Sequence, residues 1–206
     1  MTQAIPKPKL VTYAEFLEWK PEGKRYELHD GVIFEMPQPS GKHEKVIGFL
    51  SRKLTIEFDR LNLAYFIPKQ ALVKAPESES AYLPDVLILN DDNLKNEPLW
   101  EKQSTITQGV SVPLVIEVVS TNWRDDYYKK LADYEEMGIP EYWVVDYLAL
   151  GGRKFIGNPK QPTISVYQLV EGEYQVSQFR GSDKIESLAF PGLVLTAEQI
   201  LQVDSN

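Results

Sequence analysis

The segment Val112-Pro113-Leu114-Val115-Ile116-Glu117-Val118-Val119 constrains the fold more than any other part of the chain. Continuous apolar strands tend to be buried on both faces, at the centre of a sheet. A helical pattern follows from about Asp125 to Met137. Gly138 is a natural residue just past a helix end, and Pro140 comes two positions later. Glu141-Tyr142-Trp143-Val144-Val145-Asp146 then reads as another strand. Strand, helix, strand in that order implies a crossover and at least one parallel pair.

The flanking sequence fills in a mixed α/β domain. Residues 1–11 read as an N-terminal arm, and residues 12–206 as a single domain. Thr12 with Glu15 has capping-box spacing, predicting a helix from Tyr13 to about Trp19 that Pro21 and Gly23 end. Arg25-Tyr26-Glu27-Leu28 and Val32-Ile33-Phe34-Glu35-Met36 read as a hairpin turning at His29-Asp30-Gly31. Apolar residues mostly three or four apart predict a long amphipathic helix from Lys42 to about Leu61, with Ser40 as its cap. Strands are expected at Leu63–Pro68, around 70–74 and over the run Tyr82 to Leu89. Asn90 to Gly109 reads as an irregular connection. Thr163–Leu169 and Tyr174–Phe179 form a second hairpin, and a short helix near Ala197–Leu201 closes the chain. The expected class is α/β around one mixed central sheet flanked by helices, with additional C-terminal strands.

Composition narrows the chemistry. The 206 residues are 43% hydrophobic and 25% charged, ordinary values for one globular domain. The absence of cysteine removes disulfides, zinc–thiolate sites and thiol nucleophiles, and it suits a reducing cytoplasm. No apolar run approaches the roughly 18 residues that span a bilayer, and the first ten residues lack a signal-peptide core. No membrane association is expected. The formal charge of −8 argues against a general electrostatic grip on nucleic acid. The charge is uneven, however: residues 41–60 carry five basic groups against three acidic, and residues 161–206 two against six. A solvated helix face and a soluble tail account for this more readily than a DNA-contacting stripe does.

Two acids stand inside apolar strands, Asp85 after Pro84, and Glu117. A carboxylate there is costly unless paired or coordinated. The two could converge on one hard divalent cation, since Mg²⁺ takes a partial cage of carboxylates and waters. Buried ion pairs and solvent-exposed strand ends are the usual explanation for such acids. Asp126, Lys130 and Tyr134 share a slowly drifting helix face at i, i+4, i+8. That spacing fits an exposed ion pair, or a lysine aimed at the two acids.

With Pro84-Asp85 and Glu117, the chain resembles the PD-(D/E)XK nuclease superfamily. The lysine that normally stands two residues after the second acid is replaced by Val119. A lysine migrated to the following helix is a known variant, and Lys130 fills that place. A longer ordered string resembles, over about residues 12–200, the bacterial Uma-type putative restriction endonuclease family. It comprises Arg25-Tyr26-Glu27-Leu28-His29-Asp30-Gly31, Ser40, His43, Pro84-Asp85, Glu117-Val118-Val119-Ser120, Asp126, Lys130, Tyr134, Gly138 and Pro140-Glu141-Tyr142-Trp143-Val144-Val145-Asp146.

The resemblance implies a restriction-endonuclease-like fold and Mg²⁺-dependent hydrolysis of DNA phosphodiesters, with Mn²⁺ able to substitute. Asp85, Glu117 and the Val118 carbonyl would bind metal, and Lys130 would position or activate water. Glu27 would be a further acid, or else half of a surface ion pair. His43 would touch phosphate or metal, or serve only near its helix start. Gln70 would add a polar contact from a neighbouring strand, and Asp126 would orient Lys130. Ser120 and Thr121 would cap the lysine helix. Of Tyr142 and Trp143, one ring is expected in the core, and either could serve a homodimer face. The alternative is a catalytically silent nucleic-acid- or protein-binding module on the same fold.

Overall fold

In the computed structural model, residues 9–203 are described, so most of the expected arm lies outside them. A capping box opens helix α1 (Tyr13–Trp19): the Thr12 hydroxyl accepts the Glu15 N–H, and the Glu15 carboxylate accepts the Thr12 N–H at 2.8 Å. Strands β1 (Tyr26–His29) and β2 (Val32–Glu35) pair across Asp30 and Gly31, whose φ angles of 48° and 78° fit a two-residue hairpin turn. The turn needs only those two residues, so His29 belongs to the strand. Ser40 caps the 20-residue helix α2 (Gly41–Arg60) by accepting the His43 N–H.

The apolar run from Tyr82 to Leu89 is not one strand. After β3 (Tyr65–Phe66) and β4 (Leu72–Lys74), it divides into β5 (Ala81–Tyr82) and β6 (Val86–Asn90), in different sheets. Pro84 has no N–H to give a ladder, and the chain changes sheet there. The stretch expected to be irregular holds two short helices, α3 (Asp91–Leu94) and α4 (Trp100–Gln103), and strand β7 (Thr105–Ile106). Beyond it come β8 (Leu114–Val118), a π-helical turn at Asp125–Lys129 running into α5 (Lys130–Glu136), and β9 (Glu141–Asp146). Strands β8 and β9 are parallel, as the crossover requires. Helix α6 (Arg153–Ile156), the hairpin β10 (Thr163–Val170) with β11 (Glu173–Phe179), and α7 (Ala197–Leu201) complete the chain.

The mixed α/β class holds, but the strands form two mixed sheets rather than one. The larger has the order β11-β10-β9-β8-β6-β3, and the smaller β2-β1-β5-β4-β7. Alternation along β8 splits the core. Ile116 and Val118 face α2 and α7, together with Trp143, Val46 and Leu50. Val115 and Val119 face the opposite way, among Tyr127, Tyr134 and Tyr142. Tyr142 and Trp143 are both fully buried, so neither ring is available to a dimer face. Glu117 has the parity of Val115 and therefore points toward α5.

Candidate active site

Burying a valine or leucine side chain contributes about 1.5–3 kcal/mol, whereas an unpaired buried charge costs more than one such neighbour returns. Glu117, 3% exposed in the middle of β8, must therefore be compensated. Its compensation comes from α5. The Lys130 ammonium lies 3.0 Å from Glu117 Oε1, and the Tyr134 hydroxyl donates to the same oxygen at 3.1 Å. Lys130 also reaches Glu27 Oε1 at 3.1 Å and Asp126 Oδ1 at 3.7 Å. Glu27 comes from β1, in the other sheet. It is buried, not part of a surface pair, and it accepts the Leu83 N–H at 3.0 Å, with the His29 ring at 2.9 Å from its second oxygen.

Asp85 stands at the point where the chain passes from one sheet to the other. Its Oδ2 accepts the Val118 N–H at 2.9 Å and lies 3.4 Å from His43 Nε2, while Arg25 approaches Oδ1 at 3.9 Å. His43 Nε2 donates to the Val118 carbonyl at 2.9 Å. The ring therefore ties the first turn of α2 to both Asp85 and β8. His43 Nδ1 is buried and has no hydrogen-bond partner among the described residues.

A cavity of about 410 Å³ opens over these groups. Asp85, Glu117, Val118, Lys130, Asp126, Glu27 and His43 all line it. Gln70 does not. It is exposed in the bend before β4 and lines an adjoining cleft that shares Arg25 and Asp85 with the cavity. Ser120 and Thr121 line the cavity too, but the lysine helix has no side-chain cap. The π-helical turn supplies its entry instead, a distortion common at functional sites. Sequence reasoning passed over His29 as a turn residue and gave Arg25 no role. A basic residue immediately before β1, two before Glu27, was the available signal for Arg25.

The electrostatics follow from four carboxylates crowded around few cations. Burial alone would raise the Glu27 carboxyl, but Lys130, His29 and the Leu83 N–H together pull it down to about 2. Asp126 goes the other way. Burial, with Asp85 and Glu27 nearby, pushes it up to about 7 despite Lys130. Burial raises Glu117 well above the carboxylate range, with the same acids adding to it. Burial opposes the Lys130 charge, yet Glu117, Glu27 and Asp126 hold its pKa well above the usual lysine value. His43 is likewise raised: burial disfavours its cation, and Asp85 and the Val118 carbonyl outweigh that. The cavity thus presents the oxygens of these four carboxyl groups, two of which burial and their acidic neighbours push toward the neutral form. That donor chemistry fits a hard divalent cation. Among the described residues, no group of three or more His, Asp or Glu side chains converges in a ready metal-holding arrangement.

Two acids and a helix-borne lysine thus line one cavity beside a mixed sheet, the arrangement expected from the resemblance to restriction endonucleases. The sequence profile of the Uma2 family, described as putative restriction endonuclease, matches residues 13–198, and the chain belongs to that family. Its fold is similar to that of a putative nuclease belonging to DUF820 from Anabaena variabilis ATCC 29413. The TM-score is 0.71 at 15% identity, covering 94% of this chain and 98% of that one. No curated protein matches the chain. No helix among the described residues is long and apolar enough to cross a membrane.

Proposed function

We propose that the chain is a Mg²⁺-dependent endonuclease that hydrolyses DNA phosphodiester bonds. One observation carries this reading: the Lys130 ammonium, borne on the helix after β8, lies 3.0 Å from Glu117 in a cavity that Asp85 also lines. Asp85, Glu117 and the Val118 carbonyl would hold the cation. Bound there, Mg²⁺ supplies Lewis-acid neutralisation of phosphate charge and lowers the pKa of the attacking water.

The chain's own residues do the rest. Lys130 stays protonated at neutral pH, so it acts as a hydrogen-bond donor and not as a base. It can steady the water or the phosphate oxygen on which charge develops, an effect worth about 2.7–4 kcal/mol for one well-placed donor. Glu27 and Asp126 fix its direction. Tyr134 fixes Glu117, and His43 holds both Asp85 and the Val118 carbonyl in place.

A second reading has its own support. Lys130 already occupies the carboxylates that would bind metal, as in a catalytically silent binding module. Nicking of supercoiled plasmid separates the two. The nuclease reading expects nicked circles in Mg²⁺ or Mn²⁺ and none in EDTA. Intact plasmid under all three conditions, with DNA still bound, selects the silent module.

A further inference from the structure

Between Tyr147 and Val170 the chain carries three cations and no acid, in a protein of net charge −8. Part of that segment packs against the start of the lysine helix. Tyr128, 47% exposed, meets Phe155 edge-on at 5.2 Å between ring centroids, and Trp123 lies 6.4 Å from both. The Lys154 ammonium sits 4.4 Å from the Tyr128 ring centre, and the Arg124 guanidinium 4.6 Å from that of Trp123. Arg124, Arg153 and Lys154 are exposed and make no ion pair among the described residues.

This patch is continuous with the cavity. Asn122 and Asp125 line the cavity just before and within the turn that carries Tyr128, and Leu148 and Leu150 line it just before Arg153. Gly152 lies directly against Trp123, where an added Cβ would come within 3.1 Å of the indole. One exposed ring, Tyr128, backed by the half-buried rings of Trp123 and Phe155 and flanked by unpaired cations, forms a surface suited to a single strand, because phosphates take the cations and only unpaired bases offer a free face to stack. The bases of a duplex are already stacked on each other.

We propose that Tyr128, with Trp123, Arg124, Arg153 and Lys154, forms a docking platform for an unpaired DNA strand beside the cavity. DNA is named because this inference rests on the proposed activity. The platform makes the preferred substrate one with a single-stranded flank. Lys154 is exposed and can swing from the ring to a phosphate as a base takes its place.

The test is fluorescence anisotropy of the full chain in EDTA, where metal-dependent cleavage is blocked. The probes are a labelled mixed-sequence single-stranded DNA, the matching duplex and the matching RNA. Single-stranded DNA should bind tightest. Tyr128→Ala should weaken it about tenfold, and Tyr128→Phe should not. Lys154→Ala should flatten the dependence of affinity on salt by about the slope of one phosphate contact. Unchanged affinity in folded Tyr128→Ala, or tighter binding of duplex or RNA, overturns the platform and leaves plasmid nicking to stand or fall separately. Tyr128-dependent strand binding by a protein that never nicks plasmid keeps the platform and removes the nuclease reading.

Discussion

Lys130 is one ammonium answering three carboxylates, and the two whose shifts are clearest are moved in opposite directions. Glu27 is lowered from 4.5 to about 2, so its charge contributes stability that is present above pH 4.5 and lost as pH falls toward 2. The size is about 3 kcal/mol. Asp126 is raised from 3.8 to about 7, so its contribution is present below pH 4 and lost as pH rises through 7. Denaturant unfolding in EDTA across pH 3–8 checks both. Glu27→Gln should cost most at neutral pH and converge on the wild type in acid. Asp126→Asn should gain on the wild type between about pH 4 and 7 and hold a constant advantage above that. Parallel stability curves for all three proteins would contradict this division of charge. The sequence displayed both acids but could not display their environments. Glu27 sits in an alternating Arg-Tyr-Glu-Leu-His strand that looks half-exposed, and the lysine that buries it is 103 positions away.

At the scale of elements, local rules wrote whatever is decided within a few residues. The Thr12–Glu15 box, the Asp30-Gly31 turn and the β8–α5–β9 crossover were all legible, because each has its cause inside its own segment. The break at Pro84 was visible as an interruption, but its consequence depends on which sheet each half can join, which is a tertiary matter. Two-residue strands such as β5 and β7 leave almost no periodic trace. Gln70 was misplaced for the same reason, since its strand begins only at Leu72. One contact sets the far end of the lysine helix. Gly109, just before β8, is so close to the turn after α5 that an added Cβ would come within 2.4 Å of the Met137 carbonyl oxygen. Gly109→Ala should therefore destabilise the protein by more than about 1 kcal/mol, through backbone displacement rather than lost contacts. Thr12→Ala, remote from the cavity, should cost about 1 kcal/mol through its cap and leave cleavage unaltered. Thermal melts with plasmid assays on both variants test the pair, and a melting temperature unchanged by Gly109→Ala would refute the close approach.

For the whole molecule, the cavity is where the two sheets are joined. Glu27 comes from the smaller sheet, Glu117 from the larger, Asp85 from the strand-to-strand passage between them, and Lys130 bonds across the seam. Fold and site are therefore coupled. Removing Lys130 strands buried carboxylates, at a cost of about 3–5 kcal/mol out of a typical 5–15. Lys130→Ala is thus expected to lose stability as well as cleavage, and a variant as stable as the wild type would show that the ammonium does not hold the sheets together. Substitutions that remove negative charge avoid this difficulty. Glu117→Gln relieves an acid-rich cavity and keeps the shape of the side chain.

The most direct measurement is the initial rate of supercoiled-plasmid nicking in Mg²⁺ by wild type and Glu117→Gln, both folded at the assay temperature by circular dichroism. Wild-type nicking that EDTA stops, and that falls at least a hundredfold in Glu117→Gln, is the predicted result. Equal rates in the two folded proteins, or no nicking by the wild type in Mg²⁺ or Mn²⁺, would contradict it.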